Sequence, residues 1–426
     1  MFKAMGWLFA TQVAGVLVAL GVGVLLSRYL GAHGQGLYQL TILVPVALTL
    51  MVAIGGSAAP SFLVARGESI PDIMGWILVL AAGSTLLAAT LLTIFPVLWP
   101  QLVREAIAAH LRLWLLGYVP LQIVANGAVA ILVAKNQMVQ VFWAGIAPRL
   151  GQLAALLVFT AYPGLTVFTA AMVYVLMPLV AITIAVTTLR RQAMPRYRGA
   201  VIRQALSFGI RGHLGNVAQF LNYRLGLYFT GLMLMPRQVG FYWLAVTVSE
   251  LLWYGPGALA GVLLPRVAKG LKSGRDTALL ANLAGWASWV TASAMALVAP
   301  WLVPAIWGKP FAGAVPILWV LLPGAAVFAW SKVLSGDLAG QGYPQWGTWS
   351  SLAGFGVLLL GGLAAVANRQ VVWMASAQSA SYAVATGIMV WGFLRVHSAE
   401  GMGWEALFVP RVREWRRLVR GGVSTP

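Results

Sequence analysis

Val13-Ala-Gly-Val-Leu-Val-Ala-Leu-Gly-Val-Gly-Val-Leu-Leu26 holds no charge, no polar side chain and no alternation of polar with apolar residues. Ile77–Leu92 reads the same way, relieved only by Ser84, Thr85 and Thr90. Such runs suit helices surrounded by lipid, because a membrane-barrel strand alternates and an open strand leaves its backbone unsatisfied in hydrocarbon. They fill the chain. Mean hydropathy is +0.85, with 60% hydrophobic and 9% charged residues, whereas a soluble domain carries about 25% charged residues. At about 20 residues per crossing, 426 residues hold about twelve spans. The expected fold is all-α and polytopic.

The spans are expected near Gly6–Ser27, Leu37–Ala59, Ile73–Phe95, Leu111–Val133, Val139–Ala161 and Thr166–Leu189. A second set follows near Gln204–Leu234, Gly240–Leu263, Leu279–Val303, Gly313–Ser335, Gly347–Val366 and Val371–Leu394. The start Met1-Phe-Lys-Ala-Met leads into a run too long for a signal h-region and reads as an uncleaved first span. Orientation follows from Lys and Arg in the connections. With the N-terminus inside, the inner segments carry eighteen of the 28 basic residues and the outer segments six. Both termini are therefore expected in the cytoplasm.

The net charge of +19 would suggest nucleic acid in a soluble protein. Here the basic residues lie mainly between apolar runs, so they read as topology signals and no nucleic-acid partner is expected. Cysteine is absent, which excludes disulfides and thiolate metal sites. His33, His110, His213 and His397 form no ligand pattern. Neither a metal nor a cofactor is expected. No Gly-x-x-x-x-Gly-Lys-Ser/Thr occurs, so ATP is not hydrolysed through a P-loop. Gly31-Ala-His-Gly-Gln-Gly36 lacks a strand-turn-helix context and reads as a flexible outer turn.

An internal repeat organises the chain. Gly36-Leu-Tyr38-Gln-Leu40 opens the second span, and Gly240-Phe-Tyr242-Trp-Leu244 opens the eighth. Pro60 before Ala65 and Arg66 parallels Pro265 before Arg266 and Ala268. The offset covers six helices, so the copies point the same way, as in parallel halves with a cavity between them. The alternative is that Gly-aromatic-Tyr is a common interfacial turn. The duplication divides the chain into a six-helix bundle over 1–189, a basic cytoplasmic linker over 190–203, a second bundle over 204–395 and a basic tail over 396–426.

Several motifs carry a family resemblance. Ser27-Arg-Tyr-Leu-Gly31 with Gly34-Gln-Gly-Leu-Tyr38 resembles the first loop of polysaccharide-biosynthesis membrane proteins. These are the oligosaccharide flippases of the multidrug/oligosaccharidyl-lipid/polysaccharide (MOP) exporter superfamily. Asn222-Tyr-Arg-Leu, Val239-Gly-Phe-Tyr-Trp-Leu-Ala245 and Leu264-Pro-Arg-Val267 resemble the start of their second half. Trp307-Gly-Lys-Pro-Phe-Ala-Gly-Ala-Val-Pro316 and Ser331-Lys-Val-Leu-Ser-Gly336 through Gly340-Gln-Gly-Tyr-Pro344 resemble the later portion. The resemblance implies two six-helix bundles, alternating access and a lipid-linked sugar substrate. One departure matters: where relatives often carry an acid shortly after Asn-Tyr-Arg, this chain has Gly226.

A charge at mid-bilayer costs at least about 2.5–3.5 kcal/mol and usually faces a bundle interior or a wet cavity. Arg149, Arg211, Arg224 and Lys332 fall inside spans and form the expected substrate-binding set. Guanidinium pairs with phosphate oxygens through two parallel hydrogen bonds, which suits a polyprenyl pyrophosphate headgroup. The bland alternative is that these side chains bind backbone carbonyls or, for Lys332, snorkel. Glu250 is the one deeply placed carboxylate, a candidate coupling residue or a structural partner for an arginine. Asp337 reads as an exposed acid at a helix end, and His213 as a solvated or hydrogen-bonded histidine. Asn126, Gln219 and Asn222 suit a neighbouring helix as well as a sugar hydroxyl. Trp253 and Trp330 suit packing better than sugar stacking.

Trp404, Phe408, Val412, Trp415 and Val419 recur at helical spacing with Arg411, Arg413, Arg416, Arg417 and Arg420 between them. The pattern reads as an amphipathic helix on the inner leaflet, attracted to anionic lipid. The expected function is flipping of a lipid-linked oligosaccharide or polysaccharide precursor across the bacterial inner membrane, driven by an ion gradient or membrane potential. A glycan polymerase or glycosyltransferases are the expected neighbours in that work. The rivals are a cation or drug exporter of the same superfamily, a lipid II flippase, and a membrane glycan polymerase or ligase. The exporter would favour acids in the cavity. The enzyme would need a large outer loop, and the longest here, about Pro96 to His110, holds only Arg104, Glu105 and His110. No catalytic residue is therefore expected.

Overall fold

The computed structural model describes residues 2–55, 58–98, 109–162, 164–233, 236–268, 270 and 274–419. The Pro96–His110 connection lies mostly outside them. The described residues are helical throughout, with no strand, as the apolar runs require. Among the described residues, eight stretches are long and apolar enough to cross a membrane, the first of them Ala10–Val52. At 43 residues that stretch is long enough for two passes of about 20 residues.

The chain forms two compact units: Met1–Val217 with Met235–Gly240, and Ala218–Leu234 with Phe241–Pro426. In the first unit, α1 (Phe2–Val52) is bent at Gly31, whose φ of 66° is readily available only to glycine. The helices α2 (Ala58–Ala65), α3 (Ile70–Leu98), α4 (Ala109–Ala134) and α5 (Met138–Ala161) follow. The expected sixth span is divided into α6 (Val167–Leu176) and α7 (Pro178–Leu189). Pro178 has no N–H to give the Tyr174 carbonyl, so the helix breaks there. Val22, Leu26, Tyr38, Leu156 and Ala170 form a buried core between α1, α5 and α6. Small residues let helices close in, as lipid-embedded packing favours. A Cβ on Gly127 of α4 would meet Ile77 of α3 at 2.7 Å.

The basic segment after α7 opens with a 3-10 turn, Arg190–Ala193. Arg196 donates its amide to the Pro71 carbonyl at 2.8 Å, and Arg198 pairs with Glu68 and Asp72 at 3.4 and 3.8 Å. The long helix α8 (Gly199–Met233) supplies its first half to the first unit and its second half to the other. His213 donates from Nε2 to the Met51 carbonyl at 2.9 Å, in agreement with the hydrogen-bonded reading.

The expected eighth span is likewise divided, into α9 (Pro236–Glu250), a 3-10 turn at Leu251–Trp253 and α10 (Tyr254–Ala268). Pro256 cannot donate to the Leu252 carbonyl, which favours the tighter turn before it. The rest of the second unit is α11 (Gly274–Trp307), α12 (Val315–Gly340), α13 (Gln345–Asn368) and α14 (Val371–Val396). Trp330 of α12 lies against Gly285 of α11, where any side chain would collide with its indole.

Two expectations are corrected here. Asp337 is not an exposed helix-end acid but fully buried. It accepts from Thr277 Oγ1 at 2.7 Å and from His397 Nε2 at 2.8 Å. His397 also donates from Nδ1 to Glu400 at 2.8 Å. The tail is not one amphipathic helix. It breaks at Val409-Pro410 into α15 (Glu405–Phe408) and α16 (Val412–Val419). Leu407 is buried in the unit, and its carbonyl accepts from Trp330 Nε1 and Asn282 Nδ2 at 2.9 and 2.8 Å. Helical spacing alone does not reveal the proline break or the tryptophan that claims this carbonyl.

Candidate functional site

In the first unit, α2, α4, α5, α6 and α7 line an open cavity of ≈ 690 Å³, within the usual range for ligand sites. Tyr118, Gln122 and Asn126 of α4 recur every fourth residue, which places them on one helix face. Gln122 Nε2 donates to Asn126 Oδ1 at 2.7 Å. Tyr118 and Tyr174 stack at 5.2 Å, with their hydroxyls 3.2 Å apart. Gln152 lines the wall from α5 and donates to the Tyr38 hydroxyl at 3.2 Å.

Arg149 opens onto this cavity. Pro148 precedes it within α5, and its guanidinium lies over Gly15 of α1, where a Cβ would displace it. No hydrogen bond or ion pair engages Arg149 among the described residues, and no carboxylate is among the described residues lining the cavity. The walls are otherwise small and apolar, Ala125, Ala144 and Ala181 among them. An unneutralised guanidinium over polar donors and acceptors is chemically suited to an anion carrying hydroxyl groups.

The second unit carries its own charge cluster. Arg224 Nη1 lies 3.3 Å from Glu250 Oε1, with the arginine side chain 37% exposed. The ammonium of Lys332 receives no carboxylate among the described residues. It donates to the Tyr223 hydroxyl at 2.7 Å and lies over the rings of Trp253 and Phe328. The structure thus joins Arg224 to Glu250 and brings Lys332 against Tyr223, the chain neighbour of Arg224. Arg149 belongs to the other unit. The side chain of Arg211 lies outside the described residues.

The remaining polar residues are structural or wall-lining. Asn222 is 2% exposed and ties α8 to α14. Its Oδ1 accepts from Ser381 Oγ at 2.9 Å, and its carbonyl accepts from Gln378 Nε2 at 3.1 Å. Trp253 and Trp330 are buried, and each donates its indole N–H to a backbone carbonyl, so both are fixed in the packing. Gly226 has a physical reason: a side chain there would strike the Tyr242 hydroxyl, leaving no room for an acid. Tyr38 and Tyr242, the tyrosines of the repeated motif, are both buried. Each hydroxyl meets a glutamine of its own unit, Gln152 or Gln378.

Sequence reading missed Tyr118, Gln122, Gln152 and Tyr174. The four-residue spacing of polar groups on α4 was the available signal.

Known structures share this architecture. Lipid II flippase MurJ in an inward closed conformation is similar over 92% of this chain and 90% of its own, at 11% identity and a TM-score of 0.73. An inward-facing multidrug resistance MATE family transporter of the MOP superfamily is similar over 91% and 96%, at 14% identity and a TM-score of 0.66. A MOP superfamily transporter from Pyrococcus furiosus, described as having a binding pocket of reverse polarity, is similar over 94% and 97%, at 15% identity and a TM-score of 0.56. The fold is that of the MOP superfamily, an all-helical, multi-pass membrane architecture of transporters and flippases.

The pattern of the polysaccharide biosynthesis protein family matches residues 1–271. The chain belongs to that family, as its motifs implied. Comparison with curated proteins finds no match.

Proposed function

We propose that this chain flips a polyprenyl-pyrophosphate-linked oligosaccharide or polysaccharide precursor across the bacterial inner membrane by alternating access. The observation that carries this reading is the Arg149 guanidinium, engaged by no hydrogen bond or ion pair among the described residues, beside a roomy cavity whose described lining holds no acid. A pyrophosphate takes the guanidinium fork, while Gln122, Asn126 and the tyrosine hydroxyls offer partners to sugar hydroxyls. The polyprenyl tail stays in lipid.

Arg224 and Glu250 supply a second element. A phosphate competing for Arg224 weakens its pairing with Glu250. That competition links headgroup movement to Glu250, the candidate coupling residue for an ion gradient. Glycosyltransferases on the inner face supply the substrate, and a glycan polymerase consumes it outside. The basic residues of α16 rest on anionic lipid at the inner leaflet.

The test is reconstitution into liposomes with labelled lipid-linked oligosaccharide, lipid II or an organic cation. Movement of the oligosaccharide, faster under an imposed gradient, is the expected result. Transport of lipid II or of the cation in its place would overturn this assignment.

A further inference from the structure

Lys332 sits in an unusual environment for an ammonium. Its Nζ lies 4.9, 5.4 and 5.3 Å from the ring centroids of Tyr223, Trp253 and Phe328. All three distances fall within the roughly 6 Å over which a cation is drawn to the face of an aromatic ring. The rings are fixed by one another. Trp253 and Phe328 pack at 5.1 Å, and Tyr223 meets Phe328 edge-on at 6.2 Å. Tyr382 braces both Trp253 and Phe328 at 5.1 Å. The indole of Trp253 is locked by its hydrogen bond to Ala325. The rings of Trp253 and Phe328 and the hydroxyl end of Tyr223, which accepts from Nζ at 2.7 Å, surround one positive charge in the manner of an aromatic site for organic ammonium ions, and here the ammonium is the chain's own.

We propose that Tyr223, Trp253 and Phe328 form a ready-made receptor for an organic monocation, and that Lys332 keeps it closed by occupying it. The lysine is then a specificity residue. It holds a positive charge where a free cation would bind, so the second unit refuses cations. Partial exposure of Tyr223 and Lys332 leaves a path by which a small ammonium ion reaches the rings once the lysine is gone. The inference concerns a cation and stands apart from the anion pathway proposed above.

Removal of the lysine side chain tests it. Lys332→Ala should bind tetramethylammonium, followed by titration calorimetry, with at least a tenfold gain over the parent protein. Lys332→Met, which refills the volume without a charge, should not bind. A second variant does not depend on the alanine protein folding. The chain has no cysteine, so Lys332→Cys carries a single thiol. Its conversion to a mixed disulfide by a trimethylammonium-bearing methanethiosulfonate, with loss of methanesulfinate, should outpace its conversion by neutral methyl methanethiosulfonate, relative to the same pair of rates on a free thiol. Equal relative rates for the Lys332→Cys protein, or a folded Lys332→Ala that binds no better than the parent, would overturn the proposal. So would a parent protein that already binds tetramethylammonium as tightly as the variant.

Discussion

Gly226 shows how one position can be set by a partner in another helix. A Cβ there would overlap the Tyr242 hydroxyl and lie 3.0 Å from Gln378 Oε1. Overpacking of this kind costs about 1–3 kcal/mol. Gly226→Ala is therefore expected to lower the thermal unfolding midpoint in detergent, and Tyr242→Phe to restore part of the loss by removing the struck atom. Equal midpoints for Gly226→Ala and the parent would contradict this packing account. The sequence makes the absence of an acid visible at Gly226 but not its reason, since Tyr242 is sixteen positions away on α9. Arg149 is the opposite case: its charge inside an apolar run was sufficient to single it out. Asp337 was misread because its partner His397 lies sixty residues downstream.

At the scale of elements, the ends of α11, α12 and α14 are joined by one polar cluster. Glu400 accepts from the amides of Gly274 and Arg275 at 3.0 and 3.1 Å, as a carboxylate does at a helix N-terminus. Arg275 also donates its guanidinium to the Glu400 carbonyl at 3.1 Å. Burial by itself lowers the His397 pKa, but the hydrogen bonds and charges of Asp337 and Glu400 raise it above the usual 6.5. Burial pushes Glu400 up, but the hydrogen bonds from His397, Gly274 and Arg275 pull it below the usual 4.5.

The signs follow from linkage. Stability from His397 is full below its unfolded value and is lost as pH rises through the raised folded value. Stability from Glu400 is full above its unfolded value and is lost as pH falls through the lowered folded value. The cluster therefore supports the second unit best between about pH 4.5 and 6.5 and weakens toward alkaline pH. The unfolding midpoint of the parent should fall between about pH 6 and pH 9 by more than that of His397→Gln. Parallel pH profiles would contradict the assignment. Element existence was largely legible, because apolar runs of spanning length have few alternatives. The breaks at Pro178 and Pro256 were not, although each proline was visible. Membrane helices tolerate proline often enough that its presence alone does not mark a break.

At the scale of the molecule, each unit carries a distinct polar arrangement within an otherwise apolar bundle. The first holds an open cavity with a guanidinium that meets no carboxylate among the described residues. The second holds an internally neutralised pair and an ammonium enclosed by rings. The sequence allowed four cations to be named but not sorted, because sorting depends on neighbours brought by other helices: Gly15 for Arg149, Glu250 for Arg224, and three rings for Lys332. The polar stripe of α4 was readable in principle, since Tyr118, Gln122 and Asn126 repeat at the helical period. Its meaning emerged only when Tyr174 and Arg149 were found on the same cavity wall.

The transport account rests on Arg149. Its most direct test is the initial rate at which labelled polyprenyl-pyrophosphate oligosaccharide crosses liposomes bearing the parent, Arg149→Ala or Arg149→Lys. A charge-assisted hydrogen bond contributes about 1.5–3 kcal/mol, and each 1.4 kcal/mol is about tenfold in an equilibrium. The alanine variant should lose at least about tenfold in rate, with lysine intermediate because it keeps the charge without the fork. An unchanged rate in a folded, correctly inserted Arg149→Ala protein would contradict the account.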